Sequence, residues 1–172
     1  NMSKMLEKKY TNCINFEHTI FLTESHINYL ISKYNFKIIE KRYFLEDHSI
    51  FYCIEKSKSK TKSFQLDNDY KKNIETFNKY KSYYDDLIKN INFKLDSIDH
   101  KYNVYLFGAH IFSQHLIVNG LITKNIKNII DNDPLKQGKR LYGTNLKVNS
   151  PKSIKSDFKP HVIIKAGVYT EE

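Results

Sequence analysis

The chain has no tryptophan, and only five glycines, three prolines and two cysteines in 172 residues. So little glycine and proline excludes a collagen-like or loop-dominated chain. Cys13 and Cys53 lie far apart in unlike surroundings and match no metal-ligand spacing. They read as two buried thiols in a reducing cytoplasm, with no metal site expected. No run approaches the ~18 apolar residues of a membrane span. The first residues lack a signal-peptide layout, so the expectation is a soluble, cytoplasmic protein. Acids are scarce: 19 Asp and Glu face 28 Lys and Arg, a net charge of +9. That balance permits nucleic acid, an anionic membrane or a phosphorylated small molecule as partner. The basic residues are spread along the chain, which weighs against nucleic acid and suits an anionic nucleotide as well.

What is present is 40% apolar and 14% aromatic residues, the latter all Tyr and Phe. This is enough for a core in one or two small domains. The most organised stretch runs from Asn103 to Pro134. A short apolar run, Val104 to Phe107, ends at Gly108. A helical segment, Ile111 to Asn119, follows, and a second apolar run, Ile126 to Ile130, stops at Asp131. Strand, glycine turn, helix and strand ending in a carboxylate form the first half of a doubly wound nucleotide-binding unit. Asp131 stands 23 residues after Gly108, close to the ~20 between a glycine turn and a ribose-binding acid. The glycine fingerprint is incomplete, because His110 and Ser113 occupy its second and third positions. Gly108 can let a phosphate approach the backbone, with the next helix N-terminus holding the anion. Asp131 could take a ribose hydroxyl.

Before this stretch, Cys13 to Leu22 is apolar and aromatic, interrupted by Glu17 and His18. Thr23 should cap a helix, TESHINYLISKY, by accepting a free amide, and Asn35 should close it in a left-handed conformation. Phe36 to Phe44 and Ser49 to Glu55 read as an antiparallel hairpin across Leu45 to His48. That hairpin is too small to bury its own faces. Lys56 to Ser63, KSKSKTKS, reads as a solvated linker, with a phosphate-binding strip as the alternative. Leu66 to Ile98 carries apolar residues at helical spacing without Pro or Gly. It reads as one long helix that packs along its own domain, or as the seam of a homodimer. After Pro134, LKQGKRLYGT reads as a loop and Asn145 to Asn149 as a short edge strand. Ser150-Pro151 starts a short helix, PKSIKSDF, and His161 to Lys165 is a last apolar run. The expected domains are residues 1–56, a linker at 57–65, and 66–172.

Glu17-His18 is the sharpest candidate for chemistry. Burial raises a carboxyl pKa and lowers an imidazole one, tuning either for acid–base work. A core histidine with an ion-paired glutamate is the structural alternative. His48 falls in the hairpin turn after Asp47. His110 and His115 fall near the Gly108 turn, where they could touch an anion, with one of the two facing solvent. No serine-hydrolase elbow is present.

Taken together, Glu17-His18, SIFYCIE and FGA…DNDPLKQGKRLYGT…SP resemble one family. These are the S-adenosylmethionine-dependent sugar C-methyltransferases, which act on nucleotide-linked keto-sugars. The resemblance implies that residues 13–56 are the last helix and strands of a class I methyltransferase domain. Residues from about 64 to 172 would be the Rossmann-like C-terminal domain. The family's Y-x-E-H motif is matched at Glu17 and His18, with Asn15 at the tyrosine position. Its H-G-G-S turn is represented by Glu46, Asp47, His48 and Ser49. His18 would then remove a proton alpha to a ketone, giving an enolate that attacks the methyl donor, and Glu17 would tune the imidazole. Gly108, His110, Ser113, Asp131 and Asn132 would line the substrate side. Within the family picture, Asp131 becomes a strand-end residue ordering the DNDP turn. The glycine-rich loop for S-adenosylmethionine and the zinc region would lie upstream, making this a C-terminal fragment that serves glycan biosynthesis such as surface polysaccharide. Two other classes stay open: a non-catalytic nucleotide or sugar-phosphate binding module, and an NAD-dependent oxidoreductase fragment.

Overall fold

The computed structural model describes residues 1–11, 20–44, 49–66 and 68–164. Glu17, His18, His48 and Cys13 lie outside them. The elements are α1 (Met2–Glu7), α2 (Glu24–Lys33), β1 (Phe36–Phe44), β2 (Ser49–Lys56), α3 (Tyr70–Ser97), β3 (Val104–Phe107), α4 (Ile111–Val118), β4 (Ile126–Ile130), β5 (Val148–Asn149), a 3₁₀ turn (Pro151–Ile154) and β6 (His161–Ile163). The fold is mixed α/β, as expected, with a parallel sheet, a long helix and a separate antiparallel strand pair. Two compact units are formed, Asn1–Tyr80 and Lys81–Glu172, divided within α3. No helix among the described residues is long and apolar enough to cross a membrane.

In the first unit, β1 and β2 pair antiparallel with an irregularity between Ile38 and Glu40. The helix α2 is anchored to this hairpin by Glu24, whose carboxylate accepts from Tyr43 Oη at 3.0 and 3.1 Å and also binds Lys41. Thr23 precedes α2 in an extended conformation, but its hydroxyl does not cap an amide. It bonds instead with His26 Nδ1 at 2.7 Å, because the ring three residues on reaches it first. Asn35 has φ +62°, the left-handed conformation expected after the helix. The segment expected to be a solvated linker is tied down at this point. Ser57 N–H donates to Asn35 O at 2.9 Å, Thr61 N–H to Asn35 Oδ1 at 2.8 Å, and Thr61 Oγ1 to Ser32 O at 3.0 Å. Cys53 is exposed, not buried. It lies on the same hairpin face as Arg42 and Phe51, a paired position two residues on, and that face carries exposed Phe44 and Phe51. A two-stranded sheet has too little mass to cover both sides.

The helix α3 starts at Tyr70, four residues later than the periodicity suggests, with Asn73 N–H donating to Asp69 O at 2.8 Å. Tyr80, Tyr84, Ile88 and Leu95 are its buried stripe, while Tyr70, Ile74 and Phe77 stay exposed. Period 3.6 marks which residues share a face, whereas burial depends on what packs there.

The second unit is a four-stranded parallel sheet in the order β5-β4-β3-β6. Numbered along the chain, that is 3-2-1-4, the order of a doubly wound sheet about its first strand. Strands covered on both faces read as continuous apolar runs, and Val104, Tyr105, Leu106, Ile126, Ile129 and Ile130 are all buried. Leu106, Leu116, Ile129 and Val148 are fully enclosed, each such burial favouring the fold by about 1.5–3 kcal/mol. The second half of α3 joins this unit. Tyr84 meets His115 edge-on at 4.6 Å between ring centroids. Asn92 accepts from Ile122 N–H at 2.9 Å and donates to Gly120 O at 2.9 Å. The edge strand β5 is two residues long, shorter than expected, because residues 138–147 turn back on themselves through an antiparallel bridge between Arg140 and Lys147. Of the helix expected after Ser150, only the turn Pro151–Ile154 forms, and Ser150 Oγ caps it by accepting from Lys152 N–H at 3.3 Å. Asp157 then leaves helical geometry to bind Tyr105 Oη and, at 2.8 Å, Asn103 Nδ2. Burial first, and then that carboxylate, push the Tyr105 phenol up to about 12.

Candidate nucleotide site

In open parallel sheets, ligands bind at the carboxyl ends of the strands. Here β3 ends at Gly108, which has φ +91° and donates its amide to Ile130 O at 2.7 Å. Of the five site residues expected in this unit, Gly108, His110, Ser113 and Asp131 come together at this turn. Asn132 stands exposed on the outer side of the DNDP turn.

Each missing fingerprint glycine has a structural consequence. The second position lets phosphate reach the backbone, but here it is His110, the N-cap of α4. Its Nδ1 accepts from Phe112 N–H at 3.2 Å. The ring lies so close to Gly108 that a Cβ built there would stand 2.3 Å from Nε2. The third position lets helix and strand pack closely, and Ser113 keeps that packing. It is fully buried, and its hydroxyl donates to Phe107 O at 3.2 Å and to Gly108 O at 2.5 Å.

Asp131 is 6% exposed. Its Oδ2 accepts from Ala109 N–H at 2.7 Å and Lys136 Nζ at 3.2 Å, and its Oδ1 accepts from Asp133 N–H at 2.8 Å. Burial raises its pKa, but the amides of Asp133 and Ala109 and the Lys136 ammonium outweigh this and hold it below the ordinary carboxylate value. Its bonds thus close the Gly108 turn onto the DNDP turn. His110 is held neutral to lower pH, first by burial and then by Lys136, with Asp131 opposing. His115 is lowered by burial. Both rings are half-buried, so neither is the solvent-facing histidine expected of the pair, because α4 lies between the turn and α3.

Beside this turn lies a cavity of about 270 Å³, whose walls include His110, Gln114, Lys136, Lys139, Arg140 and Tyr142. Apart from His110, none of these was singled out from the sequence. The available signal was three cations within five residues, Lys136 to Arg140, followed by Tyr142. Two other cavities differ in character. One of about 200 Å³ lies at the opposite, amino end of β3 and β4, near Asn103 and Lys127. One of about 590 Å³ lies in the first unit, with mostly apolar walls that include Leu6, Phe21, Ile74 and Phe77.

No protein-family model matches this chain, and no curated protein matches it significantly.

Proposed function

We propose that the chain is the C-terminal part of an S-adenosylmethionine-dependent methyltransferase acting on a nucleotide-linked keto-sugar. Its second unit is the nucleotide-binding module of that enzyme. The observation that supports this reading is a convergence. FGA, DNDPLKQGK and SP, which carry the resemblance, are spread over 45 positions from Phe107 to Pro151. They meet at the carboxyl edge of one sheet through the Ala109–Asp131 bond, the Asp131 N–H to Asn149 O bond at 3.0 Å and the Gly138 N–H to Val148 O bond at 2.9 Å.

On this reading His18 is the base that removes the proton alpha to the sugar ketone, and Glu17 holds the imidazole. The Gly108 turn does not fit the methyl donor, since His110 covers the glycine and caps the amide that an anionic ligand would use. On this reading the donor binds upstream, where the resemblance places its glycine-rich loop. Calorimetry of the 172-residue chain against S-adenosylmethionine should show no binding, and tight binding would overturn that assignment. In the whole enzyme, mass spectrometry should find a methylated nucleotide-sugar, and His18→Ala should abolish it. Full turnover by His18→Ala removes the base assignment. Nucleotide binding without any methyl transfer would instead favour a non-catalytic binding module, the reading to which the basic cavity beside the turn also lends itself.

A further inference from the structure

An anion entering a doubly wound unit usually meets the glycine turn and the amides at the next helix N-terminus. In this chain that place is already used. Gly108 N–H is spent on Ile130 O, Ala109 N–H on the Asp131 carboxylate and Phe112 N–H on His110 Nδ1. The His110 ring covers the glycine face, and the Asp131 charge repels phosphate. The adjoining cavity has the opposite character. Lys139 and Arg140 are exposed on its wall, and among the described residues neither has a carboxylate within ion-pair distance. Lys136 lies between them and the turn, shared with Asp131 at 3.2 Å.

The loop that carries these cations is held by backbone pairing. Val148 N–H donates to Lys139 O at 2.8 Å, Leu141 N–H to Leu146 O at 3.1 Å, and Arg140 bridges Lys147. Cations on a fixed backbone lose less freedom on binding than cations on a loose one. A guanidinium with neighbouring ammoniums matches phosphate oxygens in charge and geometry. At the cavity rim Tyr142 is 83% exposed, and its carbonyl accepts from Gln114 Nε2 on α4 at 3.2 Å. An exposed ring fixed at its backbone is a stacking platform for a base. A cavity of about 270 Å³ holds a small polar group while leaving such a ring free outside.

We infer that this crevice, and not the glycine turn, is the anion site of the second unit. It takes a nucleoside diphosphate, with the phosphates against Lys139 and Arg140 and the base on Tyr142. This rests on the reading of the second unit as a nucleotide-binding module, and it gives that module a location and a ligand class.

The test is titration calorimetry of the full chain with UDP, ADP and inorganic pyrophosphate. All three should bind to the unaltered chain. Lys139→Gln with Arg140→Gln should weaken all three about tenfold or more, since each lost bond is charge-assisted. Tyr142→Ala should weaken UDP and ADP about tenfold while leaving pyrophosphate unchanged. These side chains are exposed, so circular dichroism should show the variants folded. Unchanged UDP binding in the Lys139/Arg140 variant would overturn the crevice as the site and leave the module reading intact. No binding of any probe by the unaltered chain would overturn both.

Discussion

The carboxylate of Asp131, at the end of β4, accepts the amide of Ala109, at the end of β3, across 2.7 Å. Its other oxygen accepts from Asp133 N–H, so two amides use two separate oxygens. An asparagine serves only one of them and turns an NH₂ group toward the other. Asp131→Asn should therefore lose about 1–3 kcal/mol at neutral pH, the cost of a buried donor left unmet. The pH dependence follows from the lowered pKa. A carboxylate held below its unfolded value, about 3.9, stabilises fully above that value and loses its contribution as pH falls through the folded one. His110 is also lowered; its contribution is complete above its unfolded value, about 6.5, and is lost as pH falls below that. Urea unfolding from pH 7 to 3 should show stability falling in two stages, with the lower stage flattened in Asp131→Asn. Parallel acid limbs in both proteins would count against Asp131 as the tie.

Gly108 and His110 make a second, coupled prediction. Gly108→Ala places a side chain at φ +91°, which costs about 1–2 kcal/mol for an L-residue. The new Cβ also displaces the His110 ring and with it the cap on Phe112 N–H, worth about 1 kcal/mol. Gly108→Ala should thus cost about 2–3 kcal/mol, and His110→Ala about 1 kcal/mol. The double variant should cost less than the sum, because the cap is lost only once. Strict additivity in denaturant unfolding would show that the ring and the glycine are not in competition.

Much of the second unit was legible because its strands are buried on both faces. Val104 to Phe107 is apolar throughout, Ile126 to Ile130 is apolar except at Lys127 and Asn128, and Gly108 and Asp131 mark their ends. Less legible was what fills the turn. The sequence shows that His110 and Ser113 replace glycines, but not that one ring would cap its own helix and cover Gly108. Nor does it show that one hydroxyl would reach the carbonyls of Phe107 and Gly108. The cations of LKQGKRLYGT were diluted in a chain rich in lysine everywhere. Backbone pairing of Lys139 with Val148, Leu141 with Leu146 and Arg140 with Lys147 gathers them on one wall. In the first unit, Cys53 looked like a core residue because it sits in SIFYCIE, yet an isolated hairpin leaves that face open.

Asn35 makes the last prediction, in the first unit. Its left-handed backbone turns the chain after α2, and its side chain holds the lysine-rich segment twice. Oδ1 accepts from Thr61 N–H at 2.8 Å, and Nδ2 donates to Ser57 O at 3.2 Å. Asn35→Ala should lose both bonds, about 1 kcal/mol each, and it keeps a β-carbon at φ +62°, a conformation that costs about 1–2 kcal/mol, without the local side-chain bonding by which asparagine tolerates it. Asn35→Gly loses the same bonds but accepts the conformation freely, offset by about 0.5–1 kcal/mol of extra freedom in the unfolded chain. Alanine should therefore be the worse replacement, by up to about 1 kcal/mol in urea unfolding. Both variants should speed hydrogen exchange at the Thr61 amide, since both remove its acceptor. If that amide exchanges equally fast in the unaltered chain, the lysine-rich segment is a free linker after all.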